Sequence, residues 1–302
     1  MFTAPGSRRR FIHQTGLSIA GMSMLGNASL LYEKNQTPKE SLSIREAIEM
    51  IRHLCGPEID PTVDTVKSGD PDQPLRGVVS TFLATAEVIQ KAHDLGANLI
   101  VTHEPTFYNH LDQVDYLEED AVYRFKKKLL EQYNIVIWRF HDYWHQHRPD
   151  GILLGFLKKV GWESYELPGR ENICRIPETS LEELALKLKN LLALKRTFYV
   201  GDGDLKCRHV GLLLGAWGGR SHLRVLGQEE MDVLVVGEIN EWETCEYVRD
   251  AVFAGMEKGL IILGHASSEE PGMHWFVSWA KGILPSDIPV HHVPATDPFV
   301  VV

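Results

Sequence analysis

The sequence predicts an α/β protein of two lobes, each a mixed or parallel sheet flanked by helices. Three observations carry that prediction. Short apolar, β-branched runs alternate with amphipathic segments long enough for three or four helical turns. The stretch "GVVSTFLATAEVIQKAHDLGANLIVT" is a strand–helix–strand unit of about 30 residues, the spacing of a crossover between parallel strands. A second series of strands, "HVGLLLG", "DVLVVGE" and "GLIILGH", repeats the theme in the second half of the chain, each ending at a glycine.

In order along the chain, residues 1–35 read as a targeting segment. Ser7-Arg8-Arg9-Arg10-Phe11-Ile12 resembles a twin-arginine export signal, and the weakly apolar run from Thr15 to Leu25 is too short to span a bilayer. The small residues Gly26 and Ala28 suit a signal peptidase, with cleavage after Ala28, so the expectation is an exported, periplasmic protein. The N-terminal lobe is placed at 36–178. It opens with the helix "SIREAIEMIRH", whose Ile44, Ala47, Ile48 and Ile51 share one face, followed by the Gly/Asp/Pro loop "TVKSGDPDQPL". The strand "GVVSTFLA" leads into a helix that Thr85 caps, with Val88, Ile89, Ala92 and Leu95 inward and Gly96 as the stop. After "NLIVT" comes the helix "DAVYRFKKKLLEQY", with Ala121, Phe125 and Leu129 on its inner face, and then the strand "NIVIWRFH". A Pro-containing loop near Arg175-Ile176-Pro177 joins the lobes. The C-terminal lobe, 179–302, begins with the capped helix "TSLEELALKLKNLL" and places the helix "WETCEYVRDAVFAGM" between its last two strands.

Composition narrows the function. The 302 residues are 44% apolar and 24% charged, enough for a full core, and the net charge is -10. That balance argues against nucleic acid or an anionic membrane as partner, because phosphate recognition needs a concentrated basic face. No run of about 20 apolar residues suggests a membrane span. The four cysteines are widely spaced with no Cys-x-x-Cys pair, so they read as buried free thiols rather than a zinc knuckle.

Open α/β sheets bind ligands at the carboxyl ends of their strands. Here those ends deliver imidazoles and carboxylates: His103 and Glu104 after "NLIVT"; His141, Asp142 and His145 after "NIVIWRF"; Glu238 and Glu241 after "DVLVVG"; His265 and Glu269 after "GLIILG". Together they predict a metal site with walls from both lobes. Pro105 stops the strand and holds Glu104 extended, so His103 and Glu104 are expected to diverge toward two ions. Ser268 is expected to cap the last helix, with Pro271 at its third position and Glu269 in the first turn near His265.

The segments "SGDPDQPLRGVV", "ATAEVIQKAHDLGANLIVTHEPTF", "ICRIPETSLEELA", "VVGEINEW", "IILGHASSEEPGMHW" and "VPATDPF" resemble, in order and spacing, the Nif-three-like dinuclear-metal proteins. Some of these carry a GTP cyclohydrolase type 2-like name. The resemblance covers residues 40 to 302, and the closing Gly-His-x-x-x-Glu is its most specific mark. It implies a two-lobed fold, a homo-oligomer in the form of a hexameric ring, and a two-metal site at the lobe interface. Carried over by position, the ligands are His103, Glu104, His145, His265 and Glu269, with Asp142 as the alternative to His145 and His147 as a decoy. The family usually has His-His-Pro where this chain has His103-Glu104-Pro105, and His-x-x-x-Asp where it has His141-x-x-x-His145. The two exchanges offset, keeping three imidazoles and two carboxylates. A frequent family histidine is Trp242 here, and Glu238 stands where the family has Asp. His141 is assigned to the pocket wall as a proton relay, and Glu238 and Glu241 as acceptors that orient ligating imidazoles. His291-His292, in "PVHHV", form a further histidine pair of lower weight.

This donor set suits zinc, manganese, iron or cobalt. Two divalent ions sharing a bridging hydroxide would make the protein a metal-dependent hydrolase of amide, phosphoester or ring C–N bonds in an unknown small molecule. No Ser/His/Asp triad or Gly-x-Ser-x-Gly elbow competes. The glycines of "GLLLGAWGGRS" fit a tight strand-to-helix turn. The alternative is a non-catalytic metal-binding ring that serves as a scaffold.

Overall fold

The structure, a computed structural model, describes residues 41–302. The export segment read in residues 1–35, with its cleavage point after Ala28, lies outside the described residues. Among the described residues no helix is long and apolar enough to cross a membrane.

The chain runs α1 (Ile44–His53), β1 (Val66–Ser68), β2 (Val78–Thr81), α2 (Ala86–Asp94), β3 (Leu99–Thr102), α3 (Ala121–Tyr133), β4 (Val136–Arg139), α4 (Asp142–Gln146) and α5 (Gly151–Val160). It continues with β5 (Ile173–Ser180), α6 (Leu181–Leu191), β6 (Phe198–Val200), β7 (Lys206–Leu213), α7 (Gly219–Leu226), β8 (Val233–Val236), α8 (Glu246–Phe253), β9 (Gly259–Ile262), α9 (His265–Ala280) and β10 (Val290–His292). Two five-stranded sheets result, in the orders β1-β4-β3-β2-β10 and β5-β7-β8-β9-β6. The central pairs are parallel, while β1, β5 and β6 join their sheets antiparallel. Strands β2, β3, β4 and β8 are buried at every position, which is why their sequences do not alternate; β8 is apolar throughout, and β2, β3 and β4 turn polar only at their carboxyl ends.

One core lies between the sheets. It joins Val78, Leu99 and Trp138 of the first sheet to Val210, Val235 and Ile261 of the second. Trp144 and Phe156 sit in the same cluster at 0% exposure. Burial of such a side chain contributes about 1.5–3 kcal/mol each. Smaller cores fill the outer faces. One lies beneath α2 and α3, the other around β8, α7 and α8.

Several local expectations change. The joining loop near Arg175-Ile176-Pro177 is part of β5. It pairs with β7, and its register shifts between Arg175 and Thr179, around Pro177. Proline lacks a ladder donor, and an edge strand with an irregularity tolerates it. The sheets do not follow a split at 178/179 either: β5 belongs to the second sheet, and β10 returns beside β2 in the first. The inner face of α3 is Tyr123, Lys126 and Leu130, while Phe125 is exposed. Leu95 is the exposed C-cap residue of α2. The helix expected from "WETCEYVRDAVFAGM" begins as a π-helical turn, Glu241–Cys245, before α8. Finally, α9 starts at His265, not after Ser268. Gly264 takes φ 95° as its N-cap, a conformation open to glycine, and so turns β9 sharply into the helix. Ser268 and Pro271 therefore lie inside α9.

Candidate metal centre

The carboxyl ends of β3 and β4 meet the start of α9. His103 follows β3 directly and is fully buried. Its Nδ1 lies 3.1 Å from the carbonyl oxygen of Phe140, which accepts the ring proton and turns Nε2 inward. That Nε2 is buried without a hydrogen-bond partner. It lies 3.5 Å from Glu269 Oε2, itself buried and without a hydrogen bond. His265 Nε2 stands 3.1 Å from the same Glu269 oxygen and 3.5 Å from Glu104 Oε1. His141 Nε2 is 3.8 Å from Glu104 Oε1. The rings of His103, His141 and His145 pack with centroids 4.7–5.0 Å apart.

Two groups of donors therefore reach metal-chelating proximity. His103, Glu104 and Glu269 form one, and His103, His141 and His145 the other; within each, donor atoms lie within 4.8 Å of one another. His103 and Glu104 converge on one site rather than diverging. Two causes are visible. The Phe140 carbonyl rotates the imidazole inward, and the Glu104 carboxylate is drawn toward β4 by Arg139.

Arg139 is fully buried at the end of β4. Its guanidinium donates to the carbonyl oxygens of His103 and His110 and approaches Glu104 Oε2 at 3.4 Å. That leaves Glu104 Oε1 to face the histidines. Burial alone would push the Glu104 carboxyl up. The His265 contact and the charges of His265, His141 and Arg139 together outweigh it, and the carboxyl ends below its ordinary range.

Each histidine has its own brace. His141 Nδ1 sits 2.9 Å from Asp142 Oδ1, while Asp142 Oδ2 accepts from Thr62 and from the Val63 N–H. Asp142, proposed as an alternative ligand, thus has both oxygens engaged and orients His141 instead. Buried Asp64 accepts from the backbone N–H groups of His141, Asp142 and Tyr143, fixing the start of α4. His145 Nδ1 lies 2.8 Å from Asp150, whose other oxygen caps α5. His265 Nδ1 is 3.1 Å from Glu238 Oε2. Gly215, at φ 76°, makes room for Glu269: a Cβ there would collide with the carboxylate. Ser268 ties the same turn by accepting from the Gly215 N–H and donating to the His265 carbonyl.

The remaining candidates fall elsewhere. Glu241 is exposed in the π-helical turn, and the neighbouring Trp242 is 75% exposed. His147 Nδ1 faces the Pro149 carbonyl. His291 and His292 lie on β10, where His292 Nε2 meets Glu270 at 3.3 Å. Cys55, Cys174, Cys207 and Cys245 are free thiols. The first three are buried, and burial pushes each up to about 12.

Electrostatics match a cation receptor. Burial lowers the His103 imidazole far below its ordinary value, helped by His141, His145 and His265, so it is neutral with a free lone pair. Burial also disfavours a charge on His265, but Glu104, Glu238 and Glu269 outweigh it and hold that ring to about 12. A proton there occupies the position of positive charge between the carboxylates. A buried carboxylate oxygen and imidazole nitrogen, both unpartnered, are costly unless something positive binds between them. The residues present therefore fit a metal ion.

The family profile described as Duf34/NIF3 (NGG1p interacting factor 3) matches residues 42–296. This chain belongs to the Duf34/NIF3 family. A curated relative of this Duf34/NIF3 chain, the GTP cyclohydrolase 1 type 2 homolog of Clostridium perfringens, is 23% identical over 271 residues, covering 85% of this chain and 99% of the relative. A Bacillus cereus protein related to NIF3 shares the fold at a TM-score of 0.70 and 16% identity, covering 87% of this chain and 99% of its own. Reduced HcgD from Methanocaldococcus jannaschii does so at 0.61 and 18%, covering 83% and 97%.

Proposed function

We propose that this Duf34/NIF3 protein binds two divalent metal ions at the meeting of its sheets and acts as a metal-dependent hydrolase. The observation that carries the reading is the facing pair of buried, unpartnered atoms, His103 Nε2 and Glu269 Oε2, inside a ring of three further histidines and Glu104. His103, Glu104, His145, His265 and Glu269 are the proposed ligands, and the geometry adds His141 to them. Bound there, such ions supply Lewis-acid polarisation of a substrate oxygen and acidify water toward neutral pH.

The chain's own residues do the rest. Asp142, Asp150 and Glu238 accept the outer ring protons of His141, His145 and His265 and so aim the inner nitrogens at the centre. Arg139 fixes Glu104 and offsets part of the carboxylate charge. A cavity of about 980 Å³, lined by Glu104, His141, His145, His265 and Glu269, admits a small molecule to the cluster. Assembly into a hexameric ring and export through the N-terminal segment belong to the same proposal; sedimentation and a reporter fused to residues 1–35 test them.

The central test is elemental analysis of protein purified without chelator, followed by phosphoester, amide and cyclic C–N substrates with added manganese or zinc. About two metals per chain and metal-dependent turnover are expected. Protein that neither carries nor takes up metal overturns the reading. Metal without turnover on any class favours the scaffold alternative.

A further inference from the structure

The cavity that reaches the cluster has an outer region with a chemistry of its own. Seven carboxylate side chains line the cavity as a whole, Glu104 and Glu269 of the cluster among them, against one guanidinium, that of Arg148. Two divalent cations would leave it net negative. A nucleoside polyphosphate needs converging Lys, Arg or helix N-termini to offset its charge, and this lining offers the opposite.

Three of the carboxylates, Glu163, Glu166 and Glu171, come from the segment between α5 and β5. Glu163 pairs with Lys158 at 2.9 Å, and Glu171 lies 3.8 Å from Arg148. Glu166 has no side-chain hydrogen bond or ion pair among the described residues. It is half-buried, and burial together with Glu171 and Asp150 pushes its carboxyl up. A neighbouring cation would reverse that. Trp217, from the turn between β7 and α7, lines the same cavity with 49% of its surface open. An indole face is the strongest aromatic platform for an organic cation. At the inner end, Glu269 presents its buried, unpartnered oxygen.

We infer that the cavity selects an organic cation: an amine-bearing substrate whose flat or apolar part rests on Trp217 while its ammonium pairs with Glu166, and not a nucleoside polyphosphate. What happens to that substrate rests on the hydrolase reading. The cation site does not require the metal.

The test uses the full chain, with metal content measured first, and three probes: phenethylamine, its neutral counterpart 2-phenylethanol, and inorganic triphosphate. Calorimetry should show the amine binding about tenfold tighter than the alcohol, as one carboxylate and one indole face supply. Glu166→Gln should abolish that preference and Glu166→Asp should retain part of it. Trp217→Ala should weaken both aromatic probes. Triphosphate should bind metal-loaded protein more weakly than the amine, and Glu166→Gln should strengthen it. Equal binding of amine and alcohol overturns the inference, as does an amine preference that survives Glu166→Gln. So does triphosphate as the tightest probe, or a loss of metal, rather than of amine, in Glu166→Gln. Protein that neither carries nor takes up metal and still prefers the amine sinks the metal reading and leaves the cation site standing.

Discussion

Two adjacent residues of α9, Glu269 and Glu270, face two different regions and show how position decides a carboxylate's role. Glu270 is tied off. Its oxygens accept from the backbone N–H groups of Phe82 and Ala295, and His292 closes on it at 3.3 Å. It fastens the segment after β10 to the loop after β2. Glu269 leaves one oxygen buried, without a hydrogen bond, among His103 and His265. Both are glutamates in a helix, and both are mostly buried. The lesson is that a buried carboxylate supplied with backbone donors is structure, while one set among imidazoles, with the His265 ring as its charged neighbour, fits a cation.

The widest gap between the two regions should appear on removing each charge. Glu269→Gln is expected to lower metal affinity more than about 100-fold, beyond what altering a supporting group costs, in competition with a chromogenic chelator. Glu270→Ala should leave metal content unchanged and instead lower the melting temperature, because two N–H groups lose their acceptor at about 1–3 kcal/mol each. If both variants lose metal equally, the distinction fails.

A smaller effect tests how far the receptor depends on its braces. Asp142→Asn should weaken metal binding about tenfold without loss of fold, because the amide cannot both orient His141 and accept from Thr62 and Val63. Unchanged affinity would return Asp142 to a purely structural role.

The smallest effect is a pH slope. In metal-free protein the His265 ring is raised from 6.5 to about 12. A group raised on folding contributes stability that is fully present below its unfolded value and lost as pH rises through its folded one. Melting temperature in chelator should therefore fall between pH 7 and 9, and Glu104→Gln should flatten that fall. Metal affinity should move the other way and rise with pH, because the cation must displace the proton. A flat chelator profile removes His265 as the proton's seat.

Much of this was legible in the sequence. The parallel strands announced themselves as apolar runs with helices between, and the donors stood at their ends. What stayed hidden had physical reasons. Arg139 reads as one polar residue closing a strand, and nothing local says that it is buried beneath Glu104. Asp64 acts through backbone N–H groups distant in sequence, and Asp150 reads as a helix cap, with nothing local to say that its other oxygen holds the His145 ring. The sequence assigns His141 to the pocket wall and leaves His145 and Asp142 as alternative ligands; the α4 turn brings both His141 and His145 to His103, which spacing alone does not reveal. Gly264's positive φ, not Ser268's hydroxyl, makes the turn into α9, and a backbone angle leaves no mark in the residue pattern that points to a cap at Ser268. Strands β1 and β6, three residues each, are too short for periodicity to register.

The position of β10 sets an order of events. Residues 290–292 pair with β2 at 78–80, next to the strand that ends in His103 and Glu104. The β2 edge is therefore covered, and Ala295 reaches Glu270, only once residues 290–295 have joined the fold. Until then the nascent N-terminal sheet carries an open, sticky border, and its long-range closure is slow. Because His265 and Glu269 come from α9, the proposed cation site too is completed only when that late segment has docked.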